Sequence, residues 1–158
     1  MQSTSIENKR HSLAHVLAGA VTRLYPDALM TIGPAVENGF YYDIDFPSNA
    51  PKEEDFQKIQ DEMNKVIKAW STSEKSFVQK KVSKTEAEEF FKNNPYKLEL
   101  INEIANKGEE ITLYVSGEGT EYAFTDLCRG GHVENTSEIQ EGSFALDKIA
   151  GAYWRGDE

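Results

Sequence analysis

Three histidines and one cysteine are the side chains of this sequence best suited to chemistry, and they fall into two short clusters. The clusters are His11-Ser-Leu-Ala-His15 and Cys128-Arg-Gly-Gly-His132, and the sequence contains no other histidine or cysteine. The members of each pair are four residues apart, a spacing that places two side chains on one face of a helix. Imidazole and thiolate together can bind zinc, or they can hold and transfer protons as catalytic groups. The spacing leaves both chemistries open, as well as the simpler interpretation of ordinary buried polar side chains.

An acidic residue and two glycines extend the second cluster. Asp126 lies two positions before Cys128 on a predicted strand, so both side chains should face the same side of a sheet. Asp126 can therefore orient an imidazole or a hydroxyl group, or it can simply form an ion pair with Arg129. The Gly130-Gly131 pair allows the backbone to approach a ligand closely, or it forms only a tight turn.

The composition narrows the class of protein. A chain of 158 residues predicts one domain, and a net charge of −10 excludes a uniformly basic surface for nucleic acid. The net charge does not exclude a basic rim around a local binding site. One cysteine excludes an internal disulfide and fits a reducing compartment, so we expect a cytoplasmic protein. No apolar run approaches the ~20 residues of a membrane span, and we expect neither a secretory leader nor a membrane partner.

Four helices are predicted from capping signals and apolar periodicity. The first begins at the capping box formed by Thr4 and Glu7 and ends at Tyr25-Pro26, and it carries both histidines of the first cluster. The second is predicted to begin at Pro51, the third at the capping box of Ser83-x-x-Glu86, and the fourth at Pro95.

Strands are predicted between these helices. Residues 29–36 and 40–46 form a hairpin around Asn38-Gly39, a strong turn signal. Further strands are predicted at 77–82, 111–115, 122–127 and 146–154. Because helices and strands do not alternate strictly, we expect an α+β fold with a largely antiparallel, curved sheet packed against helices. The His-x-x-x-His helix should face the Cys-x-x-x-His loop. The domain should span 1–158, with a small α/β appendage around 48–110 as an option.

Five motifs in this order resemble one known family. They are Arg10-His-Ser-x-Ala-His15, Thr31-Ile-Gly-Pro34, Asn38-Gly-Phe-Tyr-Tyr-Asp43, Asp126-x-Cys-Arg-Gly-x-His132 and Ala150-Gly-Ala-Tyr-Trp-Arg-Gly-Asp157. Together they resemble the N-terminal editing domain of bacterial-type threonyl-tRNA synthetases, over about residues 9–157. The related editing domain of alanyl-tRNA synthetases shares the two four-apart pairs but not the Gly-Phe-Tyr-Tyr-Asp block.

The resemblance implies a hydrolase that removes serine wrongly esterified to threonine tRNA. Serine lacks one methyl group of threonine, and a pocket built for threonine rejects it by only ~1–3 kcal/mol, so a second site is needed. The implied partners are the 3′ end of tRNA(Thr) carrying serine and the remainder of the synthetase. No ATP-binding aminoacylation domain is evident, so we expect no ligase activity from this sequence alone.

The resemblance also implies roles for single residues. The implied catalytic groups are His11, Lys97, Asp126 and Cys128. The implied substrate-binding groups are His15, Tyr42, His132 and Arg129. No metal is expected to be required, although zinc is possible, and its ligands would then be His11, His15, Cys128 and His132. In the alanyl relatives this quartet holds zinc, whereas the threonyl domain is understood to use a positioned water. Gly131 replaces a proline usual in the family, which loosens the loop before His132.

Three other functions stay open. One is a zinc-binding module that recognises tRNA without catalysis. Another is a freestanding aminoacyl-tRNA deacylase of other specificity. The third is a metallohydrolase that uses the same scaffold on another small substrate.

Overall fold

A computed structural model describes residues 6–31, 35–36, 39–40, 42–47, 51–73, 75–128, 132 and 135–139. Within these ranges four α-helices and three antiparallel strand groups form an α+β structure, which confirms the predicted fold class. No helix in the described ranges is both long and apolar enough to cross a membrane. The capping box predicted at Thr4 and the strand predicted at 146–154 lie outside the described residues.

Helix α1, Ile6–Leu24, carries the first histidine pair into the protein interior. Leu13, Val16 and Val21 recur at helical spacing and are buried in the main core, which confirms the predicted stripe. The helix ends just before Tyr25-Pro26, because proline disfavours a helical conformation in the residue before it. The packing of this stripe fixes the rotation of α1 and therefore the direction of its polar side chains.

The predicted hairpin is confirmed by four short strands beside α1. Strand β1, Leu29–Met30, pairs antiparallel with β4, Ile44–Asp45. Strand β2, Ala35–Val36, pairs in the same sense with β3, Gly39–Phe40, with Val36 opposite Gly39. Strands β2 and β3 both contact α1, so the hairpin covers one side of the histidine helix.

Helix α2, Phe56–Trp70, packs against α1 and buries the predicted apolar stripe. It begins later than the sequence predicts. A 3-10 turn at Glu53–Asp55 comes first, because the Asp55 carboxylate accepts the Lys52 amide at 2.8 Å and holds Lys52 in an extended conformation. Met63 and Trp70 are both fully buried. Burial of one large apolar side chain such as Met63 stabilises a fold by roughly 1.5–3 kcal/mol.

A three-stranded antiparallel sheet brings the second cluster toward α1. Its strands are β5, Phe77–Val82, β6, Ile111–Ser116, and β7, Phe124–Leu127, in the order β5-β6-β7. Strand β7 begins two residues later than predicted, because the indole of Trp70 donates to the carbonyl of Tyr122 and holds that residue in the preceding turn. Gly117 lies in this turn at φ +62°, where an added Cβ would lie 2.2 Å from the Trp70 ring.

Helices α3, Lys84–Phe90, and α4, Pro95–Asn106, pack on the sheet around a second apolar cluster. The predicted capping box of α3 is confirmed, because Ser83 Oγ accepts the Glu86 amide and Glu86 accepts the Ser83 amide, both at 3.1 Å. Asn94 caps α4, while its side-chain amide donates to the Met30 carbonyl at 2.8 Å. The first turn of α4 is thereby attached to β1.

The segment after His132 is attached to the end of α2. The amide of Asn135 donates to the carbonyls of Ser71 and Ser73 at 3.2 and 2.9 Å. Fully buried Thr136 donates its hydroxyl to the Ile67 carbonyl at 2.7 Å. The Ile67 carbonyl also accepts the Ser71 amide at 3.0 Å, so Thr136 adds a second hydrogen bond at the end of α2 and these contacts hold this segment in place.

We expect Thr136→Val to lower the free energy of unfolding by ~1–2 kcal/mol, because the substitution keeps the side-chain shape but leaves the buried Ile67 carbonyl without this hydrogen bond. Urea denaturation followed by circular dichroism measures the change. Ser137→Ala, at the exposed neighbouring position, is the matched control. An unchanged unfolding midpoint in Thr136→Val would contradict the assigned anchor.

Candidate functional site

The two four-apart pairs meet at one site. One ligand atom from each of His11, His15, Cys128 and His132 lies within 4.8 Å of the others. The sulfur of Cys128 is 3.5 Å from His11 Nε2 and 3.3 Å from His132 Nε2. The expectation that the α1 histidines face the Cys128 and His132 side chains is therefore confirmed. Only tertiary folding accomplishes this, since more than a hundred residues separate the two pairs.

The imidazole of His132 is packed on both faces. It stacks on His11 and on Phe77, each with ring centroids 4.2 Å apart, and His15 meets it edge-on at 4.4 Å. The hydroxyl of Ser12 is 3.1 Å from Nδ1 of the same ring. His132 therefore has a defined orientation, with Nε2 directed to Cys128.

A buried ion pair lies next to the quartet. Lys97 Nζ donates to Asp126 Oδ1 at 2.6 Å, to the Thr31 carbonyl at 2.6 Å and to the Tyr42 hydroxyl at 3.1 Å. Tyr42 donates to the other oxygen of Asp126 at 2.5 Å. Both Lys97 and Asp126 are only 2% exposed. The structure thus places three residues of the predicted site in one network and excludes a surface position for Lys97.

The ion pair reaches the quartet through His15. Nε2 of His15 is 3.8 Å from Asp126 Oδ2, the oxygen that also accepts the Tyr42 hydroxyl. All predicted site residues that the structure describes therefore belong to one continuous polar cluster. Arg129 lies outside the described residues, so its predicted ion pair with Asp126 stays a prediction. Gly131 also lies outside the described residues, so its predicted loosening of the loop before His132 stays a prediction.

Burial sets the charge states in this cluster. The pKa of His15 lies well below its usual value because the ring is buried and because His11 and Lys97 oppose a further positive charge. Burial likewise depresses the pKa of His132, with His15 and His11 contributing. Burial and the Asp126 carboxylate raise the pKa of Tyr42. Near neutral pH the imidazoles of His15 and His132 are therefore uncharged, with available lone pairs, and Tyr42 keeps its proton to donate.

The spacing of the quartet around Cys128 would suit a zinc ion. Bonds of ~2.0–2.3 Å in a tetrahedral site separate the ligand atoms by roughly 3.3–3.7 Å, close to the two distances from the Cys128 sulfur. In addition, Nδ1 of His15 is buried without a hydrogen-bond partner among the described residues, and buried polar atoms normally have one. The quartet is near enough, and has suitable donor atoms, to bind a metal.

Three residues that contribute to the site were not predicted from the sequence. Ser12 contacts His132, Phe77 stacks on the same ring, and Thr31 offers its carbonyl to Lys97. Ser12 and Thr31 lie inside two of the family motifs, and this position could have indicated that they belong to the site. Phe77 gives no signal of its own, because an apolar residue at a strand start is indistinguishable from ordinary core.

Comparison with known proteins identifies the class. Residues 111–157 match the family described as the threonyl and alanyl tRNA synthetase second additional domain. The chain is 51% identical over 148 residues to the threonine–tRNA ligase of Desulfatibacillum aliphaticivorans, covering 94% of the chain and 21% of that protein. The enzyme of the same name from Streptococcus mutans is 47% identical over 148 residues, covering 94% and 21%. That of Dehalococcoides mccartyi is 44% identical over 155 residues, covering 98% and 24%.

Within that class the particular family is clear. The similarity to threonine–tRNA ligases extends over nearly the whole chain, well beyond residues 111–157. The chain therefore belongs to the editing-domain region of the threonyl-tRNA synthetase family. It spans about a fifth of the length of the curated relatives it matches.

We expect Lys97→Met to lower the free energy of unfolding by ~3–5 kcal/mol, because it leaves the Asp126 carboxylate buried without its counter-charge. Adding Asp126→Asn should restore part of the loss, because the second change removes the uncompensated charge. Chemical denaturation of both variants measures the effect, with exposed Lys68→Met as control. A double variant less stable than Lys97→Met alone would contradict this account of the pair.

Proposed function

We propose that this domain hydrolyses the ester of serine wrongly attached to tRNA(Thr), as the proofreading part of a threonyl-tRNA synthetase. One observation carries the proposal: neutral imidazoles, a thiol and a buried ion pair converge at a single site. These groups suit the activation of water near an ester, and the family to which the chain belongs supports the choice of substrate. We further propose that residues 1–158 act as one unit, with the remainder of the synthetase and the tRNA 3′ end as partners.

The reaction needs a base for water and a proton for the leaving oxygen. We assign the base to His11, whose Nε2 lies 3.5 Å from the Cys128 sulfur, so that a water bound beside this pair attacks the ester carbonyl. The bond from the carbonyl carbon to the ribose oxygen then breaks. The proton taken by His11 passes to that oxygen, and free serine and tRNA with an intact 3′ end are released.

Lys97 supplies a buried positive charge beside the quartet, paired with Asp126. Its ammonium group has three N–H bonds, and each meets an acceptor in the structure. To donate directly to the developing oxyanion it would have to give up one contact. The bond to Tyr42 is the longest of the three and is the one we assign to that exchange. Otherwise Lys97 acts through Asp126, by holding that carboxylate beside His15.

Specificity for serine requires a rigid wall that excludes the threonine methyl group. Tyr42 is a suitable wall, because its hydroxyl is held by both Asp126 and Lys97 and the ring cannot swing away. We assign the substrate hydroxyl and amine to Asp126 and His132, with His15 beside them. Arg129 is assigned to substrate binding from the family pattern. Exclusion by steric contact is needed because one methyl changes binding by only ~1–3 kcal/mol.

We propose that no metal is required for this reaction. If zinc binds, the quartet would hold it, and the ion would supply Lewis acidity toward the ester carbonyl or a bound water. The close spacing of the quartet also favours a second candidate function, in which a closed zinc site stabilises a module that recognises tRNA without catalysis.

We expect the protein to release serine from seryl-tRNA(Thr) and to leave threonyl-tRNA(Thr) largely intact. His11→Ala should slow serine release by ~10²–10⁴-fold, because it removes the assigned base. Release of radiolabelled amino acid measures both rates, with Lys68→Met as the control variant. Equal rates for the two esters would contradict the proofreading function, and wild-type rates in His11→Ala would contradict the assigned base.

Removal of metal by a chelator should leave serine release unchanged, and the purified protein should contain well under one zinc per chain. Elemental analysis and the same release assay on chelated protein provide the two measurements. Stoichiometric zinc with no serine release would favour the recognition module. Activity that disappears on chelation and returns with zinc would contradict the metal-free mechanism.

A further inference from the structure

The ring of His132 is constrained more completely than its assigned role in substrate binding requires. Its faces contact His11 and Phe77, its Nε2 points at the Cys128 sulfur, and its Nδ1 points at the Ser12 hydroxyl. Each ring nitrogen thus has one polar neighbour among the described residues. What the packing does not fix is which of the two nitrogens carries the hydrogen.

We infer that Ser12 is a positioning residue that accepts the Nδ1 hydrogen of His132 and so keeps the lone pair of Nε2 directed at Cys128. A neutral imidazole carries one N–H, so a hydrogen on Nδ1 leaves Nε2 as the acceptor. The geometry supports this arrangement, since the Ser12 hydroxyl lies 3.1 Å from Nδ1 and the Cys128 sulfur lies 3.3 Å from Nε2.

The position of Ser12 on α1 explains why it would act as the acceptor. Ser12 is fully buried, one position after His11 and within α1. A serine inside a helix readily donates its hydroxyl hydrogen to the carbonyl four residues earlier, which leaves an oxygen lone pair for another donor. The Nδ1 of His132 is the group at 3.1 Å from that oxygen. The helix that delivers His11 therefore also delivers the group that orients His132.

The position of this hydrogen determines which proton transfers and metal bonds His132 can take part in. With its lone pair at Nε2, His132 can accept a proton from the thiol of Cys128 or from a water, and it can bind a metal through the same atom. With the opposite tautomer it could only donate at that position. Partners of this kind, which fix a histidine through its other nitrogen, typically change activity or metal affinity by ~10–100-fold when removed.

Nitrogen-15 NMR of the full chain with labelled histidine tests the inference directly. In metal-free wild-type protein, Nδ1 of His132 should resonate as a protonated nitrogen and Nε2 as an unprotonated one. Ser12→Ala should move the two signals toward each other or exchange them. The matched control is Ser116→Ala, another fully buried serine, which lies opposite Phe77 at the end of β6 and whose hydroxyl has no hydrogen-bond partner among the described residues.

The opposite pattern in wild-type protein, with the hydrogen on Nε2, would overturn the inference. This measurement uses only wild-type protein, so it does not require that any variant folds. Unchanged His132 signals in Ser12→Ala would overturn it as well. Only its kinetic consequence, a ~10–100-fold slower serine release in Ser12→Ala, rests on the proposed function. If wild-type protein released no serine, the proposed function would fail while the NMR result still decided the role of Ser12.

Discussion

The buried ion pair of Lys97 and Asp126 is the constraint on which the site depends. Two charges removed from water are tolerated only when nearly every donor and acceptor finds a partner. Here the partners come from different parts of the chain: Lys97 from α4, Asp126 from β7, Tyr42 and the Thr31 carbonyl from the hairpin. Satisfying this pair therefore fixes the relative positions of three units of structure.

The same pair is the link between architecture and chemistry. Asp126 approaches His15, and His15 belongs to the quartet with His11, Cys128 and His132. Because the cluster is buried and already contains an ammonium group, further positive charge is unfavourable, and the pKa of His15 is held low. The network thus keeps imidazole lone pairs available at a pH where free histidine begins to protonate. This property suits both a general base and a metal ligand.

Much of this arrangement could be predicted from the sequence, because its signals are local. The apolar stripe of α1, the capping box at Ser83 and the pairing of Val36 with Gly39 depend on residues close in sequence. The union of the two four-apart pairs was also predictable, because no other use for all four side chains was apparent. The predicted start of α2 at Pro51 was wrong, since Asp55 captures the Lys52 amide and delays the helix.

The partners within the site could not be predicted from the sequence. Lys97 and Asp126 are 29 residues apart, and no periodicity joins α4 to β7. The contacts of Ser12 and Phe77 with His132 likewise arise only when α1, β5 and the segment around His132 pack together. Resemblance to a family indicated that Lys97 matters, but the structure shows that its three hydrogen bonds are directed to the protein itself.

Binding of an unreactive substrate analogue tests most directly whether this cluster is the place where the aminoacyl ester binds. A 3′-seryl-aminoadenosine, in which an amide replaces the ester, should perturb the NMR signals of His11, His15 and His132 in a saturable manner. The threonyl analogue should perturb them less, because the wall formed by Tyr42 opposes the additional methyl group. Saturable binding that leaves all three imidazoles unchanged would contradict the account, because the substrate would then bind elsewhere.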